Sequence, residues 1–228
     1  MDASFRSEWP GAAPLAQAVA LPPGYRIEVL HPDEVDVALR FVDDAFPGLA
    51  VGNASCFLRP EFYASRVALA GAAGAAERDF RVVLVKRGDE WAALLAVERD
   101  ADSQVLYGRL GTVARSHRGS GLGVLFPELM VAMACAMGLE MVYSLATLKS
   151  PAMQRAFERA GWRLAGIMPG FDREVLVPGV VKRVYEAIYV RLLVAADAIE
   201  QPRPEGMQPS TRDLFDRLFA AERQASSA

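Results

Sequence analysis

The stretch Val113-Ala-Arg-Ser-His-Arg-Gly-Ser-Gly-Leu-Gly123 joins an apolar run typical of a strand to a longer apolar run typical of a helix. Its three glycines stand at alternate positions, 119, 121 and 123. A strand-to-helix turn without side chains lets successive backbone N–H groups close around an anion at the positive end of the helix. Arg115 and Arg118 add full positive charges beside these dipoles. The stretch therefore predicts a turn that binds a pyrophosphate.

The spacing of the glycines narrows the choice of ligand. A dinucleotide-binding turn has the pattern G-x-G-x-x-G, and counted from Gly119 its third glycine would fall on Val124. The phosphate loop of ATP-binding proteins has a lysine directly after its last glycine, and this chain contains no Gly-Lys pair. The pattern that remains is R-x-x-G-x-G, formed by Arg118, Gly121 and Gly123. A glycine turn that serves only close packing is the alternative interpretation.

A second motif follows one helix and one strand later, as Ser150-Pro-Ala-Met-Gln-Arg-Ala-Phe-Glu-Arg-Ala-Gly-Trp162. The R-x-x-G-x-G pattern resembles the acyl-CoA-binding motif of the GNAT N-acetyltransferase superfamily. The second motif is similar to that family's short helix, which ends in an aromatic residue and is followed by a glycine and another aromatic. The resemblance covers roughly residues 25–193. It implies an α/β (α+β) fold with a mixed, bent central sheet of six to seven strands, flanked by helices and splayed open between strands 4 and 5.

The resemblance also implies where acyl-CoA would bind. In the family, the pantetheine arm lies between strands 4 and 5 as an additional strand. By position, the backbone of Leu110, Thr112 and Val113 would pair with it, and the Val113 N–H would polarise the thioester carbonyl. The other cofactor-binding residues implied are Arg115, Arg118, Gly119, Ser120, Gly121, Leu122, Gly123, Ser150 and Phe157. For Arg115 and Arg118 a solvated surface charge is the alternative.

The residues for proton transfer depart from the family pattern. Phe157 stands where the family frequently has a tyrosine acid, and Ser150 stands where an asparagine is common. The strand that often carries a glutamate base has no carboxylate from Gln104 to His117. Four other residues are candidate catalytic groups. They are Tyr143 as the acid, on the fifth strand facing the gap, and Glu98, Asp172 and Glu174 as bases or amine-recognition groups.

Each of these four candidates has a structural alternative. A buried tyrosine such as Tyr143 belongs more often to a core, and Glu98, Asp172 and Glu174 are of a type that is mostly solvated. Asp172 and Glu174 are favoured because the loop before the last strand, where we place them, lies near the acceptor site in this fold. Tyr185 and Tyr189 share one face of the last strand and are candidates for the same cleft.

These features predict an N-acyltransferase that moves an acetyl or other short acyl group from acyl-CoA to an amine, in a direct ternary complex. Acetyl-CoA or another acyl-CoA would be a co-substrate, and the acceptor would be a small-molecule amine. Cys56 and Cys135 have no visible activating partner, which argues against a covalent thiol route. We expect Cys135 to be buried in an apolar helix. The alternative function is a catalytically inactive CoA-binding regulatory or scaffolding module.

Composition excludes several other functions. A net charge of −3 and an isoelectric point near 5.5 argue against a nucleic-acid partner. Two isolated histidines and no Cys-x-x-Cys pattern argue against a metal. The apolar run Leu129 to Leu139 is too short for a membrane span of about twenty residues, so no membrane partner is expected. With few cysteines and no signal-peptide pattern, we expect a cytoplasmic protein.

The chain divides into an extended N-terminal arm over residues 1–24, an acyltransferase domain over 25–200, and a C-terminal segment over 201–228. The C-terminal segment consists of a proline-containing linker and an amphipathic helix. That helix and the long final strand are elements through which a homodimer could form. Strands are predicted over 25–30, 81–85, 91–97, 104–113, 140–146, 162–167 and 180–193. Helices are predicted from Asp33 through Phe46 and over 59–69, 122–137, 150–160 and 213–223, with a loop over 168–179.

Overall fold

A seven-stranded sheet forms the centre of the computed structural model, which describes residues 8–226 and, for side chains, residues 8–219. The strands are β1 (Tyr25–Val29), β2 (Phe80–Arg87), β3 (Glu90–Asp100), β4 (Val105–Val113), β5 (Met141–Thr147), β6 (Arg163–Val177) and β7 (Val180–Leu192). The helices are α1 (Ala12–Ala18), α2 (Val35–Ala45), α3 (Pro60–Arg66), α4 (Leu122–Met137), α5 (Ala152–Arg159) and α6 (Pro209–Ser226). The sheet order is β1-β2-β3-β4-β5-β7-β6, and every neighbouring pair is antiparallel except β4 and β5. The prediction of a mixed sheet of six to seven strands with flanking helices is confirmed.

The two faces of the sheet are covered by separate hydrophobic clusters. On one face, α4 packs with residues such as Leu129 and Met133 against Leu106 of β4. On the other face, Phe57 and Tyr63 belong to a cluster that covers β2 and β3 together with α2. Because α4 is apolar all round, it is covered on most sides, as the sequence predicts. This leaves the central strands β3 and β4 buried between two helical layers.

The parallel pairing of β4 with β5 extends over only four residues on each strand, 105–108 opposite 141–144. Beyond Gly108 and Ser144 the two strands have no register, so the sheet divides at that point. Gly108 permits the close approach of α4, since a Cβ there would lie 2.7 Å from the Met130 Cε atom. A bulge of β4 at Arg109, against Ala96 and Val97 of β3, comes directly after this point. The splay between strands 4 and 5 is therefore present.

Three predicted elements differ from the observed ones. Residues 12–18 form α1 rather than an extended arm. The helix can form because Pro10 precedes it and Pro14 lies in its first turn, where a proline is tolerated. Leu15 of this helix is buried in the same cluster as α4. The predicted loop over 168–179 is wrong, since β6 runs through it to Val177 and turns directly into β7. Its prolines and glycines are accommodated by the tight turn at 178–179 and by a bulge between Met168 and Asp172. The C-terminal helix is longer than predicted.

The side chain of Cys135 is exposed, so the prediction of a buried thiol is wrong at this position, whereas Cys56 is buried. The exposed residues of helix α4 are Glu128, Cys135 and Ala136. No helix among residues 8–226 combines the length and apolarity needed to cross a bilayer. Among the same residues, no group of three His, Cys, Asp or Glu side chains is arranged to hold a metal ion.

Candidate active site

The glycine turn between β4 and α4 has the backbone that its sequence requires. Gly119 and Gly121 have φ angles of +81° and +90°, in the left-handed region that glycine adopts without strain. A Cβ atom placed on Gly119, Gly121 or Gly123 would meet no atom within 4 Å, so open space lies beside all three. Gly121 caps the N-terminus of the sixteen-residue helix α4. The turn can therefore take a ligand against bare backbone at the positive end of a helix.

The polar groups of this turn fit an anion. Within the described residues, no backbone carbonyl accepts from the N–H groups of Gly119, Gly121 or Gly123. Arg115 and Arg118 are exposed and form no ion pair with a described residue. Donors at a helix start with two free guanidinium groups beside them suit a pyrophosphate. The cofactor-binding roles of these residues stay predictions.

His117 attaches the turn to the rest of the sheet. Its side chain is 6% exposed, and its Nδ1 atom lies 2.9 Å from the Tyr25 hydroxyl group on β1. Its Nε2 atom lies 3.1 Å from a carboxylate oxygen of Glu90 at the start of β3. The Ser120 hydroxyl donates to the His117 carbonyl oxygen at 2.6 Å. These contacts hold the segment that precedes the glycines against β1 and β3.

The edge of β4 beyond the division of the sheet carries unpaired backbone groups. The Ala114 N–H donates to the Ala92 carbonyl of β3 at 2.8 Å. Backbone groups alternate in direction along an antiparallel pair, so those of Leu110 and Thr112 also point toward β3. The N–H groups of Gly111 and Val113 point the opposite way, into the gap. Val113 thus has the orientation that its predicted role needs, and Gly111, which was not among the predicted residues, has the same orientation. The predicted Leu110 and Thr112 have theirs toward β3 and not toward the gap.

A cavity of about 470 Å³ continues from this gap. Its walls come from both sides of the divided sheet, from α4 and α5, and from the segment after α2. Apolar wall residues include Phe46, Leu49, Leu95, Leu110, Phe126, Met130, Leu145, Met153, Phe157 and Val175. Charged wall residues are Arg109, Lys149, Asp172, Arg173, Glu174 and Glu186. The cavity is therefore mostly apolar, with its charges grouped near β6 and β7.

Glu186 is the buried carboxylate of the cavity wall, on β7 opposite Thr147 of β5, with 9% of its surface exposed. Within the described residues, no group donates a hydrogen bond or forms an ion pair with it. Burial, aided by the charge of Asp172 and opposed by that of Lys149, raises the pKa of Glu186 from 4.5 to about 7. A carboxylate in this state can accept a proton near neutral pH.

Asp172 and Glu174 line the same cavity on β6, as strand residues rather than loop residues. The Asp172 Oδ1 atom accepts from the backbone N–H of Asn53 at 2.6 Å and from that of Arg173 at 2.7 Å. Glu174 forms an ion pair with Lys149, which follows β5. Both carboxylates therefore have partners within the protein.

Glu98 and Tyr143 lie on the same face of the sheet but do not line the cavity. Glu98 accepts a hydrogen bond from Arg109 at 2.7 Å. The prediction that Tyr143 faces the gap is wrong, because the register sets it opposite Tyr107 where β4 and β5 are still paired. The two rings stack with centroids 4.5 Å apart. Burial, followed by the charge of Glu98, raises the pKa of Tyr143.

The second motif contributes wall rather than proton-transfer groups. Phe157 is 2% exposed, lines the cavity, and stacks on Tyr189 with centroids 5.3 Å apart. Ser150 is exposed and accepts a weak hydrogen bond from the Ala152 N–H at 3.4 Å, at the start of α5. Tyr189 is buried and Tyr185 is exposed, and neither lines the cavity. Both were candidates for the cleft, so that prediction is wrong.

Sequence analysis missed Glu186, Lys149 and Arg109. One signal was present for Glu186, since it is a lone carboxylate within the otherwise apolar run from Val184 to Val190. A charge inside a predicted buried strand is a functional candidate, because such a group is rarely buried without a partner. Nothing comparable marks Lys149, whose position depends on how β5 ends.

A mixed sheet divided between two parallel strands, with a glycine turn at the mouth of the division, defines the class of split-sheet α/β folds. No protein-family model matches the chain, and no curated protein matches its sequence. Solved structures do match in shape, and they are N-acetyltransferases and acetyltransferases. The chain has the fold of the GNAT N-acetyltransferases.

Three of these structures illustrate the likeness. The dodecameric spermidine N-acetyltransferase from Vibrio cholerae matches with a TM-score of 0.57 at 11% identity, over 74% of this chain and 94% of that one. A GNAT-family acetyltransferase from Desulfovibrio desulfuricans matches with a TM-score of 0.57 at 15% identity, over 75% and 99%. A Bacillus subtilis acetyltransferase in complex with CoA matches with a TM-score of 0.51 at 16% identity, over 75% and 99%. At these identities the likeness concerns the fold alone.

Proposed function

We propose that this protein is an acyl-CoA-dependent N-acyltransferase, which moves an acetyl or other short acyl group to an amine in a ternary complex. The observation that carries the proposal is the continuity of three features. The glycine turn at the start of α4 leads to the unpaired edge of β4 beyond Gly108, and that edge leads into the cavity that contains Glu186. The pyrophosphate, the pantetheine arm and the reacting thioester of acyl-CoA would each have a suitable binding surface along this path.

The residues along the path would bind and orient acyl-CoA. The N–H groups of Gly119, Gly121 and Gly123, with Arg118 and Arg115, would hold the pyrophosphate. The free backbone groups of Gly111 and Val113 would pair with the pantetheine arm, and the Val113 N–H would then be a donor for the thioester carbonyl. Acyl-CoA supplies the activated thioester.

The apolar walls of the cavity support this chemistry by excluding water from the reacting groups. Leu110, Phe126 and Met130 border the free edge of β4, and Phe157 closes the opposite side. Exclusion of water strengthens the hydrogen bonds of the backbone donors and limits hydrolysis of the thioester.

Formation of a homodimer through β7 and α6 stays a prediction.

Titration calorimetry with CoA, combined with a thiol-release assay, tests the proposal. The protein is titrated with CoA and is then incubated with acetyl-CoA and a panel of amines. We expect saturable CoA binding and release of free thiol that depends on the amine. Binding without any release of thiol would instead support a non-catalytic CoA-binding module, and absence of CoA binding would overturn both functions.

A further inference from the structure

The buried wall of the cavity carries one carboxylate that the rest of the chain does not use. We infer that Glu186 binds the ammonium group of the acceptor and accepts its proton, and that the acceptor is a primary amine with one positive charge on an apolar body. The inference rests on the proposed acyl transfer, because it concerns the second substrate of the same cavity.

Among the carboxylates of the cavity wall, one has no partner within the described residues and could bind a cation. Asp172 is held by the two backbone N–H groups that donate to its Oδ1 atom. Glu174 is neutralised by Lys149, Arg109 is neutralised by Glu98 outside the wall, and Arg173 is exposed to solvent. Glu186 has no such partner among the described residues, although only 9% of its surface is exposed. One buried, unpaired anion calls for one cation.

The carbon lining restricts the rest of the acceptor. The wall of the same cavity includes Phe46, Leu49 and Val175, which offer no hydrogen-bonding side chain. A second ammonium group would lose its hydration there without a free carboxylate in compensation. An acceptor carboxylate would be repelled by Glu186 itself. Polyamines and free amino acids are therefore poor acceptors, and a compact alkylamine or arylalkylamine is a good one.

The segment between α2 and α3 limits the size of the acceptor. It runs over β6, where the Asn53 N–H is bonded to Asp172 and where a Cβ on Gly52 would lie 3.1 Å from the Arg173 carbonyl oxygen. A Cβ on Gly48 would lie 2.9 Å from the Val175 Cβ atom. Residues 48–53 are therefore packed closely on β6, and Gly48 and Leu49 line the cavity. A polypeptide N-terminus would have to displace them.

The transfer step balances with Glu186 as the proton acceptor. As the nitrogen–carbon bond of the amide forms, the carbon–sulfur bond of the thioester breaks, and the electron pair leaves on sulfur. The ammonium nitrogen loses two protons on the way to the amide. Glu186 takes the first, which frees the lone pair for attack, and the second passes through solvent to the departing sulfur. Asp172, Lys149 and Tyr107 are the other titratable groups that act electrostatically on Glu186. Glu174, Arg109 and Arg173 also line the cavity.

An acceptor series tests the substrate class. With acetyl-CoA as the donor, thiol release is measured for 2-phenylethylamine, butylamine, spermidine, alanine and a peptide with a free N-terminus. We expect kcat/KM for one of the two monoamines to exceed that for spermidine, alanine and the peptide by about tenfold or more. A preference for spermidine, alanine or the peptide would overturn the acceptor class while leaving the acyl transfer in place.

Substitution of Glu186 tests its role. Glu186→Gln keeps the shape of the side chain and removes its charge, and Glu128→Gln makes the same change at an exposed position of α4 as the control. With the best amine of the series, we expect Glu186→Gln to lower kcat by about 10²-fold to 10⁴-fold and to raise the KM for the amine, whereas CoA affinity is unchanged. Glu186→Asp should restore part of kcat, and Glu128→Gln should match the wild type.

The outcomes separate the two proposals. If the wild-type protein binds no CoA or releases no thiol, the acyl transfer itself is refuted. If the wild type is active and Glu186→Gln keeps its kcat and its KM for the amine, the transfer stands and the role of Glu186 is wrong. Unchanged CoA affinity in Glu186→Gln also shows that the variant is folded.

Discussion

The Ser144 hydroxyl group donates a hydrogen bond of 3.0 Å to the carbonyl oxygen of Gly108, at the last residues that pair β4 with β5. Beyond this bond the two strands separate and the cavity begins. The bond therefore marks the vertex of the divided sheet. Gly108 also lies against Met130 of α4, so the vertex is packed from the helix side as well.

Gly108→Ala should disturb this vertex. The added Cβ would lie 2.7 Å from the Ser144 Oγ atom and 2.8 Å from the Met130 Sδ atom, so both side chains must move. We expect the free energy of unfolding in urea to fall by about 1–3 kcal/mol, the usual effect of overpacking a core. Gly206→Ala is the control, because no atom lies within 4 Å of its Cβ position and its stability should change little. Equal stability of the two variants would contradict a tightly packed vertex.

Gly123→Glu should separate CoA binding from folding. Gly123 lies in the first turn of α4 without a left-handed φ angle, and a side chain there has open space. Gly121 is less suitable, because its φ of +90° would strain any other residue. We expect Gly123→Glu to abolish CoA binding in calorimetry, because a carboxylate beside the pyrophosphate repels it, while the thermal midpoint stays close to that of the wild type. Gly206→Glu should bind CoA normally, and weak binding by both variants would point to a general charge effect.

Local sequence signals predicted the elements around the glycine turn well. The glycine turn and the ends of α4 at Leu122 and Met137 depend on backbone freedom and apolar content, which neighbouring residues determine. The β2–β3 hairpin is likewise specified by the turn residues Gly88 and Asp89. The extension of β6 could not be predicted in this way. Its prolines and glycines favour a loop, and only pairing with β7 makes the segment a strand.

The set of side chains that line the cavity depends on contacts between segments far apart in the chain. Tyr143 was assigned to the gap because its strand was expected to face it, but the parallel register with β4 sets it on the paired side of the vertex. Glu186 and Asp172 come together through a bulge of β6 that no local pattern indicates. Propensity and spacing describe segments, whereas register decides which side chains share a cavity.

Substitutions at Asp172 and Lys149 should move the pH dependence in opposite directions. The charge of Asp172 raises the pKa of Glu186, and that of Lys149 lowers it. With a saturating amine, kcat of the wild type should fall as the pH drops below about 7, where Glu186 becomes protonated. We expect the midpoint of this profile to move to lower pH in Asp172→Asn and to higher pH in Lys149→Met. Asp172→Asn keeps an oxygen for the two backbone N–H groups, so a midpoint that moves upward in this variant would exclude the proposed coupling.

Glu186 should also make folding less favourable at high pH, because its ionised form is buried without a partner. A carboxyl group whose pKa is 4.5 when unfolded and about 7 when folded stabilises the protein fully below pH 4.5, and this stabilisation is lost as the pH rises through 7. Relative to the wild type, Glu186→Gln should therefore gain about 2–3 kcal/mol of unfolding free energy between pH 5 and pH 8. Urea unfolding at the two pH values measures this difference, and Glu128→Gln should show none of it. A Gln variant that is less stable than the wild type at pH 8 would mean that the carboxylate has a stabilising partner, which would also remove the case for its binding an ammonium group.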